Sequence, residues 1–155
     1  MNNRYINKKK FAWLLVLLWM GCIFYLSHQS GSASSQLSSG LMNNLIHVFT
    51  SIFPIQFHID HLHFFIRKGA HFFAYFILGL LVINALFKSH NWKTDFAIAL
   101  SICTVYAITD EIHQLFIPGR SGEIRDVLID SCGATFGIGL YLIGRKIFFK
   151  RKNTE

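Results

Sequence analysis

Four apolar runs of membrane-crossing length set the frame for this chain: residues 11–27, 69–87, 96–116 and 127–144. A helix rises about 1.5 Å per residue, so each run is about long enough to traverse some 30 Å of hydrocarbon. Strands do not fit, because no series of alternating ten-residue segments is present. Of the 155 residues, 52% are hydrophobic and 15% are charged, against about 25% charged in ordinary soluble domains. These features exclude a large soluble catalytic domain. They predict an all-α integral membrane protein, a four-transmembrane-helix bundle forming a single membrane domain over residues 1–155. The first run resembles a secretory signal core, but no A-x-A-like site follows it, so it is expected to stay as the first helix.

The net charge of +7 is explained by position. Arg4, Lys8, Lys9 and Lys10 precede the first run, and Arg145, Lys146, Lys150, Arg151 and Lys152 follow the last. Basic residues beside apolar segments are cytoplasmic anchors. With Lys88 and Lys93 they place 11 cations on one side, against Arg67, Lys68, Arg120 and Arg125 on the other. The expected topology is multi-pass in the cell membrane, both termini cytoplasmic, with residues 28–68 and 117–126 outside. No basic patch is interleaved with aromatics along a groove, which argues against nucleic acid as a partner.

The outer loop, 28–68, opens on Ser30-Gly31-Ser32-Ala33-Ser34-Ser35. Leu37, Leu41, Leu45, Val48, Phe49 and Ile52 then recur at helical spacing. That stripe predicts an amphipathic helix on the outer membrane surface, ended by Pro54. His58, His61 and His63 form a minor metal-site candidate if this stretch is extended, since alternate residues then share a face. Cys22, Cys103 and Cys132 all fall within apolar runs and read as packed free thiols.

Ionisable groups inside spans cost about 2.5–3.5 kcal/mol each at the helix centre and mark candidate sites. Here they gather at one depth: His71 near the start of the second run, Asp110 and Glu111 near the end of the third, Asp130 near the start of the fourth. Lys68, His71 and Tyr75 share a helix face, as do Asp110 with Gln114 and Asp126 with Asp130. Asp110 should face His71 and Tyr75, and Glu111 the fourth helix or the Arg120 turn. Pro118-Gly119-Arg120-Ser121-Gly122 reads as a tight turn with Arg120 aimed across the rim. Arg67, Lys68, Arg120 and Arg125 oppose Asp110, Glu111, Glu123, Asp126 and Asp130, as in a closed ion-pair network. One reading of such a network is purely structural, but buried ion pairs are a poor route to stability. Gly133-x-x-x-Gly137 already offers a small-residue packing face.

These residues resemble the signatures of VanZ-like proteins. Arg67-Lys68-x-x-His71-x-x-x-Tyr75 is similar to the family's second-helix motif. Asp110-Glu111-x-x-Gln114-x-x-x-Pro118-Gly119-Arg120, then Asp126-x-x-x-Asp130-x-x-Gly133, resemble its downstream motif, and Ser27-x-Gln29-Ser30 its polar stretch after the first helix. The resemblance spans Leu26 to Tyr141. It implies a bacterial cell-envelope protein, the name-giving member being linked to resistance to teicoplanin-type glycopeptides.

Two functions follow as expectations. One is a ligand site in which Lys68, Arg120 and Arg125, with His71, Tyr75, Asp110, Glu111, Gln114, Asp126 and Asp130, hold an anionic lipid-linked cell-wall precursor, a teichoic-type polymer or the glycopeptide. The other is an intramembrane hydrolase or transferase acting on a lipid-linked substrate. There Asp110 and Glu111 act as base, His71 as acid, Arg120 as electrostatic stabiliser, and a divalent metal is a further option. No G-x-S-x-G, H-E-x-x-H or P-loop is present, and no cofactor is expected. Four spans make a thin transport pathway.

Overall fold

A computed structural model describes residues 3–32, 36, 39–40, 59–86 and 91–152. Four helices dominate them: α1 (Asn3–Ser27), α2 (Ile59–Leu86), α3 (Trp92–Gln114) and α4 (Ile124–Lys152). Each contains a segment long and apolar enough to cross a membrane, namely Ile6–Ser27, Phe65–Leu86, Trp92–Gln114 and Ile124–Ile147. The protein is thus a four-helix membrane bundle, with no strand among the described residues. Its outer surface carries Leu14, Leu17, Phe73, Val105, Phe136 and Leu140, all exposed. Such faces suit lipid.

Charge does not end a helix, so the helices outrun their apolar runs. The α2 helix starts at Ile59, well before the hydropathy boundary at Gly69. Arg67 and Lys68 thus lie within this helix. The extended conformation expected around His61 and His63 is therefore replaced by helix, on which residues two apart lie about 200° apart. His58, and the stripe Leu37, Leu41, Leu45, Val48, Phe49 and Ile52, lie outside the described residues.

Packing is closest between α2 and α4, and glycine is the reason. A Cβ on Gly133 would collide with the Phe72 carbonyl, one on Gly137 with the Phe76 carbonyl, and one on Gly79 with the Ala134 carbonyl. Backbones this near gain dispersion contacts that larger side chains forbid. Around this seam, Tyr75, Leu78, Val82, Ala134 and Ile138 form the core with Val16, Ala99 and Cys103. Of the three thiols only Cys103 is packed; Cys22 and Cys132 are exposed on the bundle surface, because the apolar runs that hold them turn those faces outward. Two bonds tie α1 in: Trp19 Nε1 donates to the Ala74 carbonyl at 2.9 Å, and Tyr106 Oη to the Met20 carbonyl at 2.7 Å.

The α3–α4 connection is a β-turn, with Arg120 N–H donating to the Ile117 carbonyl at 3.1 Å. Pro118 presets the first corner, and Gly119 at φ 75° takes the left-handed second one. Gly31 packs backbone to backbone on Gly119 and donates its N–H to the Pro118 carbonyl at 3.1 Å. The end of α1, the start of α2 and the α3–α4 turn consequently meet at one end of the bundle.

Candidate functional site: a buried charged cluster

At that end, three helices deliver polar side chains to one depth. From α2 come Lys68, His71 and Tyr75, spaced to fall on one face. Lys68 is 8% exposed; its ammonium donates to Asp126 of α4 and, at 3.0 Å, to Glu123 just before α4. His71 Nδ1 lies 3.2 Å from Asp130 Oδ1 and 3.9 Å from Glu111 Oε1. Asp126 and Asp130 are fully buried.

The α3 carboxylates are neighbours in sequence and also in space. Gln114 Nε2 donates at 3.4 Å to both Asp110 Oδ2 and Glu111 Oε1, clipping the two together. Glu111 Oε2 accepts the Glu123 backbone N–H at 2.9 Å, so this carboxylate caps the start of α4, where the helix dipole favours negative charge. Glu111 therefore serves both the turn and His71, whereas spacing alone assigned it only the turn or the fourth helix. Residues about 100° apart converge here because a glutamate is one methylene longer than an aspartate. Asp110 lies within electrostatic range of Tyr75 and His71.

Arg120 does reach across the rim, but toward backbone. Its Nε donates to the Gln29 carbonyl at 2.9 Å and its Nη2 to the Leu26 carbonyl at 3.1 Å. These are carbonyls at the end of α1, left open by the helix geometry. Burial, then the neighbouring Arg67 guanidinium, pulls Arg120 below the ordinary arginine value. Glu123 lies below the ordinary glutamate value because Lys68 donates to it. Arg125 is exposed and stands apart from the buried ion pairs.

Several buried polar atoms have no hydrogen-bond partner among the described residues: Asp110 Oδ1, Asp126 Oδ2, Asp130 Oδ2, Gln114 Oε1, the Tyr75 hydroxyl and Arg67 Nη2. Buried polar groups are normally paired, so the network is only partly closed from within. The Ser27 hydroxyl is also buried and lies beside Asp110 without closing a hydrogen bond of good geometry. Sequence reasoning placed Ser27 in a motif but gave it no role. It also passed over His28 and His113, whose rings stack 5.4 Å apart with Nδ1 and Nε2 at 3.2 Å, Phe24 stacking on both. The 85-residue separation of the two histidines left no signal in spacing. Their meeting follows from α1 packing on the end of α3.

A four-helix bundle that buries a Lys and four carboxylates at one end, around a partly buried His, defines a multi-pass membrane protein with a polar cluster among its spanning helices. The VanZ/LLP1 family profile matches residues 11–148, and the chain belongs to that family. It is also 36% identical over 84 residues to the uncharacterized membrane protein YwnJ of Bacillus subtilis (strain 168), a match covering 53% of each chain. The chain thus aligns with about half the length of this curated relative. No solved structure matches.

Proposed function

We propose that this protein holds an anionic envelope ligand, a lipid-linked cell-wall precursor or a teichoic-type polymer, at the charged end of the bundle. By this reading it limits the action of teicoplanin-type glycopeptides at the membrane surface. The observation that carries it is the Arg67 guanidinium, whose buried Nη2 has no hydrogen-bond partner among the described residues. Arg120, at the same end of the bundle, spends its Nε and Nη2 on the Gln29 and Leu26 carbonyls and feels the Arg67 charge. A buried donor left unused favours an anionic acceptor, and guanidinium matches phosphate or carboxylate with paired hydrogen bonds. The Lys/Arg asymmetry favours placing this end outside the cell membrane with both termini inside.

The test is drug susceptibility in a strain expressing the chain. Arg67→Gln should insert at normal yield and lose protection against teicoplanin. Full protection by that variant would end the anion reading.

The second reading is an intramembrane hydrolase or transferase. Its support is the convergence of His71, Asp110 and Glu111 with Asp130: the imidazole lies 3.2 Å from Asp130 and 3.9 Å from Glu111, and Gln114 clips Asp110 to Glu111. Asp110→Asn and Glu111→Gln keep volume and remove charge. On this reading they accumulate in the membrane but lose the phenotype, while a phenotype retained by both would leave the ligand reading alone.

A further inference from the structure

We propose that His71, Glu111 and Asp130 form a binding site for one divalent cation of the zinc or manganese class. Each ligand comes from a different helix, and one donor atom from each lies within 4.8 Å of the other two. Around a zinc ion with bonds near 2.0–2.1 Å, tetrahedral donor atoms stand about 3.3 Å apart. The His71–Asp130 separation of 3.2 Å already has that value. The 3.9 Å from His71 to Glu111 must close by about 0.6 Å, and the Glu111–Asp130 edge, at most 4.8 Å, by up to about 1.5 Å, through side-chain rotation.

The second observation concerns unmet demand for positive charge. Asp130 is fully buried, yet its Oδ2 has no partner. Asp110, 4% exposed, is held against Glu111 by Gln114 and likewise keeps Oδ1 unpartnered. No Lys or Arg donates to Asp130 among the described residues: Lys68 donates to Asp126 and Glu123 and Arg120 to the α1 carbonyls, while the Arg120 charge offsets part of that on Asp110 and Glu111 from a distance. An imidazolium at His71 offsets one carboxylate of three. A divalent ion on a neutral imidazole offsets two and satisfies the open lone pairs. One imidazole with carboxylates suits zinc or manganese better than the all-oxygen sites that magnesium and calcium prefer. The Tyr75 hydroxyl, buried and unpartnered among Asp110, Asp130 and Glu111, remains available to whatever shares the metal.

This inference stands apart from the anion reading, and its test uses metal alone. The detergent-purified chain is stripped with a chelator and titrated separately with Zn²⁺, Mn²⁺ and Co²⁺, the last as a visible-absorption probe of nitrogen and oxygen ligation. Expected are one equivalent bound, a higher thermal midpoint, and a Co²⁺ spectrum that Zn²⁺ abolishes. His71→Asn and Asp130→Asn should each weaken binding by more than tenfold, and Glu111→Gln covers the case in which His71→Asn does not accumulate. A double His61→Asn, His63→Asn variant should bind as the parent does. Absence of stoichiometric binding by the parent chain, or binding indifferent to these three ligand variants, would overturn the site. Metal binding intact in a chain that gives no drug protection would count against the anion reading alone.

Discussion

The Nδ1 atom of His71 is shared between two helices, 3.2 Å from Asp130 of α4 and 3.9 Å from Glu111 of α3. One ring nitrogen thereby ties α2 to both neighbours at the depth where Asp130 has no contact with solvent. Removing one member of a buried charged pair leaves the other uncompensated, which typically costs about 3–5 kcal/mol. His71→Leu should therefore lower the thermal midpoint in metal-free detergent solution. The double variant His71→Leu, Asp130→Leu should recover much of the loss, since replacing both partners with apolar groups removes the orphaned charge. A double variant as unstable as the sum of the singles would show that the pair is not coupled.

The α2–α4 seam has a steric limit. Gly137→Ala places a methyl group inside the Phe76 carbonyl, and forcing extra volume into close packing costs about 1–3 kcal/mol. Gly139, two residues on, has open space at its Cβ, so Gly139→Ala should be neutral or slightly stabilising through better helix propensity. Thermal denaturation of the two purified variants checks the contrast.

Arg120→Lys preserves charge but not the fork that reaches Gln29 and Leu26 together. One hydrogen bond at most survives, so the variant should lose about 1–2 kcal/mol of stability. Limited proteolysis should show faster cleavage just after α1. An unchanged cleavage rate would mean the α1 terminus is held by Gly31 on Gly119 alone.

Glu123 lies below its ordinary value of 4.5 because Lys68 donates to it. A carboxylate with a depressed folded value adds stability in full above its unfolded value and loses it as pH falls through the folded value. The stability difference between the parent and Glu123→Gln should therefore be constant at neutral pH and shrink below about pH 4.5. It will be small, since the Glu123 side chain is 39% exposed and exposed pairs contribute little. A difference that instead grew on acidification would exclude the Lys68–Glu123 pair as its source.

Topology is open to direct labelling. In a cysteine-free background, Ser121→Cys should react with an impermeant thiol reagent added to intact cells, and Ser89→Cys only after permeabilisation. The reverse pattern would turn the charged end toward the cytoplasm and remove the envelope-ligand reading.

Much of the site was legible because helical periodicity is rigid. Once residues 69–87, 96–116 and 127–144 are helices, Lys68, His71 and Tyr75 must share a face, and the carboxylates of α3 and α4 must lie at the same depth. Gly133 and Gly137 announced the close seam for the same reason. Hydropathy marks only the apolar stretch of α2 and not the helix start at Ile59, because it scores transfer to lipid, whereas Lys68 is solvated by Asp126 and Glu123 within the protein. Spacing likewise could not find the His28–His113 stack or the Arg120 bonds to α1, which depend on how α1 leans on its neighbours.

Composition and periodicity alone, then, determined the membrane, the four helices and the list of polar residues too costly to leave in lipid. Those properties depend on local rise, turn and transfer free energy, which each segment carries by itself. Tertiary packing decided which charges meet: Glu111 with both His71 and the α4 terminus, Arg120 with carbonyls instead of carboxylates, Asp130 with one oxygen paired and one free. Such pairings turn on ångström-scale helix rotations and side-chain reach, and the glycine seam between α2 and α4 sets those rotations only when both helices are in place.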